Sequence, residues 1–113
     1  MTPSVILCNK LEASIQAIEV PLRLIEVCRG GMLCTYNIAE SVNKNVISDL
    51  GIGAILLEAA AQSALLTIEI NLGSLKDLEL KRQYSSKLSV LISEISALNN
   101  ETLQITRNRM TQQ

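Results

Sequence analysis

The chain has 113 residues, 48% of them hydrophobic and 19% charged, with a formal net charge of −1. That length makes residues 1–113 a single domain, since about 100–200 residues per domain is usual, and the near-neutral charge with only Tyr36 and Tyr84 as aromatics excludes a nucleic-acid partner. The absence of His, Trp and Phe removes histidine general-base catalysis, histidine metal ligation and aromatic cages, so no metal site is expected and any chemistry must run on carboxylates, Lys, Tyr, Ser or Cys.

The charged content lies below the ~25% of ordinary soluble domains, which predicts that part of the apolar surface is covered in a homo-oligomer joined through helical faces. Cys8, Cys28 and Cys34 are odd in number, form no CxxC pair and follow no secretory segment, so a reducing cytoplasm is expected. Their expected role is as small packing residues.

In chain order, Leu11, Ile15, Ile18, Leu22 and Ile25 recur in steps of four and three, one face of a helix. Pro21 falls inside that stripe, and a proline removes a hydrogen bond and crowds the preceding turn. The expectation is therefore a short helix to about Ala17 and a second helix opening at Pro21. The stripe continues through Cys28, Met32, Tyr36, Ala39 and Val42. Gly30-Gly31 within it either admits a close neighbour or breaks the helix, and continuity of the stripe favours the first.

Residues Asn43 to Val46 lose periodicity and supply turn formers, so the chain should reverse there. Ser48 or Asp49 is then expected to cap the next helix, with a carboxylate at the positive end of its dipole. From Leu50 to Ile68 the only charge is Glu58, and apolar residues lie on every side of the wheel. Such a helix, from about Ser48 to Asn71, should be buried all round at the centre of an all-α antiparallel bundle. A membrane span is disfavoured by Glu58 at mid-helix, by the adjacent Gln62 and Ser63, and by the lack of flanking Trp or Tyr.

Gly73 should end this helix in a left-handed conformation, with Ser74 and Asp77 as a capping pair for the next. The last helix carries Tyr84, Leu88, Leu91, Ile92, Ile95 and Leu98 on one face, with a break expected at Asn99-Asn100 and a frayed end at Gln112-Gln113. The polar residues that stand out are Asn45, Ser48 and Asp49 at one helix mouth, and Glu58 with Gln62 inside the apolar helix. Capping accounts for the first group. Glu58 and Gln62 share a face and can hydrogen-bond each other, although a Glu reaching the bundle rim to pair with Lys or Arg is the simpler expectation.

Three segments, Val20-Pro21-Leu22, the stretch Asn43–Leu50 reading NKNVISDL and the stretch Ala64–Asp77 reading ALLTIEINLGSLKD, occur in an order and spacing that resembles the C-terminal half of the formiminotransferase-cyclodeaminase family. That family includes bacterial methenyltetrahydrofolate cyclohydrolases, and the resemblance covers about Ile18 to Tyr84. It implies an all-α fold that dimerises through its helices and acts on a one-carbon unit carried by tetrahydrofolate, either releasing ammonia to close the methenyl ring or opening that ring with water. A tetrahydrofolate derivative would be the substrate, with no tightly bound cofactor.

Carried over by position, the resemblance places Asn45 and Ser48 in substrate binding, makes Asn71 structural or substrate-facing, and makes Asp49 the candidate acid-base residue. Two departures are visible. The family's glycine-rich N-terminal half has no counterpart here, and Leu66-Thr67 stands where members carry an Asn upstream of Glu-Ile-Asn-Leu. The expectation is a half-length cyclodeaminase-like domain, inactive alone or dependent on a separate chain for the missing half. The alternative is a helical oligomeric binding or structural module without catalysis.

Overall fold

The computed structural model describes residues 2–112. Three long helices run up, down and up: α1 from Pro3 to Ile38, α2 from Ile47 to Gly73 and α3 from Leu78 to Thr111. They form an all-α bundle with extents of 70 × 22 × 18 Å. Its core joins the buried parts of the α1 and α3 stripes read from the sequence to one inner face of α2: Ile18, Leu22, Ile25, Cys28 and Met32 of α1 meet Ala54, Ala61, Ala64, Ile68 and Leu72 of α2 and Tyr84, Leu88 and Ile95 of α3, while Leu11 of the expected stripe is exposed. Small residues on the inner face of α2 let its neighbours approach closely, while α1 and α3 supply the bulk. The first turns of α1, through Ala13, are exposed.

The expected break at Pro21 does not occur, and α1 is one helix on both sides of it. Proline deprives the carbonyl four residues earlier of its helical donor. Here that carbonyl belongs to Ala17, and Asn71 of α2 donates to it from Nδ2 at 3.5 Å. Packing of an unbroken apolar stripe on both sides of the proline outweighs the local defect. Gly30-Gly31 is likewise helical; a Cβ on Gly31 would sit 3.3 Å from the Leu57 methyls of α2, whereas Gly30 faces open space.

The α1–α2 connection is a turn ending in a single 3-10 turn, Lys44–Val46. Asn43, not Ser48 or Asp49, does the capping there, its Oδ1 accepting from Asn45 N at 2.9 Å. The helix α2 begins at Ile47 with no side-chain cap, so Ser48 and Asp49 lie within its first turn. At its other end Gly73 remains in the helix with no positive φ. Asp77 caps α3 as expected, accepting from Leu80 N at 3.1 Å, but Ser74 closes α2 instead.

Two further expectations are corrected. The last helix passes through Asn99-Asn100 to Thr111, because Asn99 turns inward as the next position of the buried stripe; Gln113 lies outside the described residues. And α2 is not buried all round. Its outward stripe leaves Ile52, Leu56, Leu66 and Ile70 exposed, Ile70 by 75%. The segment Lys44–Gly73 is long and apolar enough to cross a membrane, with 28% of its most apolar window buried in the bundle.

Candidate functional site

The helix mouth at the α1–α2 turn gathers three of the four residues that the family resemblance assigns to the site. Asn45, Ser48 and Asp49 sit within one and a half turns of each other and all three are exposed. Asp49 is the acidic residue of α2's first turn, where the helix dipole favours a carboxylate. It borders a shallow groove of about 360 Å³ whose other walls are Thr35 and Ile38 of α1, Val42 of the turn that follows, and Val46, Leu50 and Gly53. Among the described residues its carboxylate takes no hydrogen bond or ion pair, leaving both oxygens available. Thr35, whose hydroxyl donates to Gly31 O at 2.8 Å, supplies a polar atom on the facing helix.

Asn71 lies elsewhere. It is 22 positions along α2 from Asp49, about 33 Å at 1.5 Å per residue, and its amide donates to Thr67 O at 2.8 Å as well as to Ala17 O. The structure therefore brings Asn45, Ser48 and Asp49 together and leaves Asn71 at the opposite end of the bundle.

A second polar feature is buried between α2 and α3. Glu58 pairs neither with Gln62 nor with a Lys or Arg; its carboxylate accepts from Asn99 Nδ2. Asn99, Thr102 and Thr106 are all buried and continue the α3 stripe after Ile95. Thr106 donates to Thr102 O at 2.8 Å, while Asn99 Oδ1 and Thr102 Oγ1 have no partner among the described residues. Gly51 of α2 packs against this seam, with Thr106 Cγ2 only 2.9 Å from where a Cβ would stand. The spacing was visible in the sequence, since 95, 99, 102 and 106 keep the steps of four and three, but polar residue types concealed it.

Elsewhere α1 and α3 are tied by Tyr84 Oη donating to Glu19 Oε1 at 2.6 Å, by the Arg29–Glu94 pair and by Lys87 with Glu26 at 3.1 Å. Burial, then the hydrogen bond to Glu19 and its charge, push the Tyr84 hydroxyl up to about 12. Burial also raises the thiol of Cys28, the one buried cysteine; Cys8 and Cys34 are exposed. Among the described residues no group of three or more His, Cys, Asp or Glu is placed to hold a metal ion.

A three-helix bundle with one carboxylate at an open helix mouth defines a class of all-α domain and no particular reaction. Comparison with known proteins narrows it: residues 9–90 match the formiminotransferase-cyclodeaminase family, and the chain belongs to that family. It is 31% identical over 99 residues to a methenyltetrahydrofolate cyclohydrolase of Methylorubrum extorquens, an alignment covering 88% of this chain and 48% of that protein. The chain thus spans about half the length of this curated relative. The family match includes Asn45, Ser48, Asp49, Glu58 and Asn71 and ends before the buried Asn99.

Proposed function

We propose that this chain is half of a tetrahydrofolate-acting cyclodeaminase or cyclohydrolase, working in the cytoplasm and without turnover until a further polypeptide completes its site. The observation that carries the reading is the position of Asp49. It lies inside the family match, at a helix N-terminus, in a groove open to solvent on one side. Ring opening of a methenyl group by water, or ring closure with loss of ammonia, needs a positioned acid-base group that can move a proton at the reacting carbon or nitrogen. Asp49 supplies such a group, with Asn45 and Ser48 beside it to hydrogen-bond a pterin or its amide side chain. An open groove leaves the carboxylate hydrated and the substrate unoriented, so chemistry requires added walls.

The reading is tested by following backbone amide shifts while a tetrahydrofolate derivative is added. Shifts clustered at Thr35, Val46, Asp49 and Gly53, weakened by Asp49→Asn, are expected. Shifts confined to the Asn71 end, or none at millimolar ligand, contradict it.

A second reading is favoured by the exposed apolar residues of α1 and α2. It is a catalytically silent helical module that covers those faces with copies of itself. A stable monomer in light scattering at micromolar concentration counts against it.

A further inference from the structure

The two halves of α3 are packed by different chemistry. Up to Leu98 its inward positions, Tyr84, Leu88, Leu91, Ile92 and Ile95, lie within the apolar core or against it. From Asn99 onward the same stripe continues as Asn99, Thr102 and Thr106, and the half-buried Leu103 and Ile105 do not join the core cluster. Opposite this half α2 offers Gly51 against Thr106 and Glu58 against Asn99. Small and polar groups replace the apolar bulk that holds the rest of the bundle, so burial contributes much less to docking here.

Polar contacts fasten this half instead. Asn99 Nδ2 donates to the Glu58 carboxylate, and Arg109 donates from Nη1 to Ala39 O at 2.8 Å. Against these bonds stand two buried groups, Asn99 Oδ1 and Thr102 Oγ1, without a partner among the described residues, and each gains hydration when the helix leaves its seat. The segment is also a poor helix by itself. Its 13 residues, Asn99 to Thr111, include three Asn and three Thr, types of low helix propensity, and a helix of that length is marginal without tertiary packing. Undocking and unwinding are therefore one event.

Arg109 couples that event to the Asp49 end. Ala39 closes α1, whose last turn has no basic residue of its own, so the guanidinium from α3 supplies the cation that the negative end of a helix dipole favours. Ile38 and Val42, on either side of Ala39, line the groove at Asp49, and the N–H groups of Ser41 and Val42 both donate to Ile38 O at 3.0 Å. We infer that Asn99–Thr111 is a strap that opens as a unit at lower free energy than the rest of the bundle, and that its opening frees the α1–α2 reversal that shapes the Asp49 groove. The inference rests on the folate reading only for what the groove binds.

Native-state hydrogen exchange of the full chain, read amide by amide, tests this. The amides of Leu103 to Arg109, together with Ser41 and Val42, should share one protection factor about tenfold or more below that of Leu22–Met32 and Leu88–Ile95. Ile18→Val removes a buried methyl from the opposite half of the bundle. It should lower protection of the core amides about two- to tenfold and leave the strap, Ser41 and Val42 unchanged, because Ile18 stays packed when the strap opens. Protection that declines steadily from Leu103 to Arg109 is fraying, and a strap that loses protection with Ile18→Val opens only with the whole bundle. Either result overturns the inference, as do Ser41 and Val42 amides that follow the core. Methenyltetrahydrofolate at millimolar concentration separates the two claims. If the strap amides form their own class but the ligand raises protection nowhere, the strap stands and the folate reading fails. If the ligand protects Asp49 and Gly53 while the strap amides follow the core, the folate reading stands and the strap does not.

Discussion

Asn71 Nδ2 lies 3.5 Å from the carbonyl oxygen of Ala17, the acceptor that Pro21 leaves without its helical donor. A side chain of α2 thereby replaces a backbone hydrogen bond of α1, at the point where α1 would otherwise be weakest. Asn71→Ala should cost about 1 kcal/mol in urea unfolding, the usual net value of such a bond. In a Pro21→Ala background Ala17 regains a backbone donor, so the same substitution should cost less. A double-mutant cycle showing strict additivity would remove this compensation from the account.

Close packing at the Asp49 end is equally open to test. Gly51→Ala adds a methyl 2.9 Å from Thr106 Cγ2, and overpacking of this kind costs ~1–3 kcal/mol, more than the ~1 kcal/mol gained in helix propensity. Gly30→Ala, with nothing near its added carbon, should instead stabilise by ~0.5–1 kcal/mol. Denaturant midpoints moving in opposite directions are the expected result, with Thr106→Ser relieving much of the Gly51→Ala penalty.

Two residues of the buried seam, Asn99 with its bond to Glu58 and Thr102 with none from its hydroxyl, should respond to substitution with opposite signs. Asn99→Ala leaves the Glu58 carboxylate without its partner and is expected to destabilise by about 1–3 kcal/mol. Thr102 is fully buried with no partner for its hydroxyl, so the nearly isosteric Thr102→Val should stabilise by about 1 kcal/mol. Equal losses from both substitutions in chemical unfolding would show that Thr102 Oγ1 is satisfied in solution.

Tyr84 gives the fold an alkaline limit. Its hydroxyl titrates near 10 when unfolded and is pushed up to about 12 in the bundle. The unfolded chain therefore loses this proton first. Its contribution is fully present below pH 10 and declines as pH rises to about 12. The measurement that isolates this contribution is the difference in stability between the wild-type chain and Tyr84→Phe. That difference should shrink steadily across the window; a constant difference contradicts the assignment.

How much of this was legible in the sequence depended on whether the deciding interaction was local. The stripes of Ile18–Met32 and Tyr84–Ile95 emerged from spacing alone, because burial imposes a helical period directly. Pro21 misled because the donor that compensates it, Asn71, is on another helix. Asn99 misled for a related reason: asparagine reads as a helix breaker until Glu58 is known to face it. The all-round apolar character of α2 was correctly seen, but one side of it meets solvent, so hydrophobicity marked a face to be covered in addition to a core.

The site was legible only as a neighbourhood. Asn45, Ser48 and Asp49 are close in sequence and remain close in space, whereas Thr35 of α1 and Val42 of the turn after it, which complete the groove, are brought there by a reversal that composition could only suggest. Asn71 entered through similarity of sequence, and its hydrogen bonds place it in the support of α1, far from Asp49.

The most direct measurement is the hydrolysis of methenyltetrahydrofolate by the purified chain, followed by loss of the methenyl chromophore. Alone, the chain should open the ring no faster than buffer, for wild type and Asp49→Asn alike, because the Asp49 groove is shallow and open to solvent. Turnover by the chain alone, abolished by Asp49→Asn, would contradict the half-site reading while establishing Asp49 as the catalytic residue.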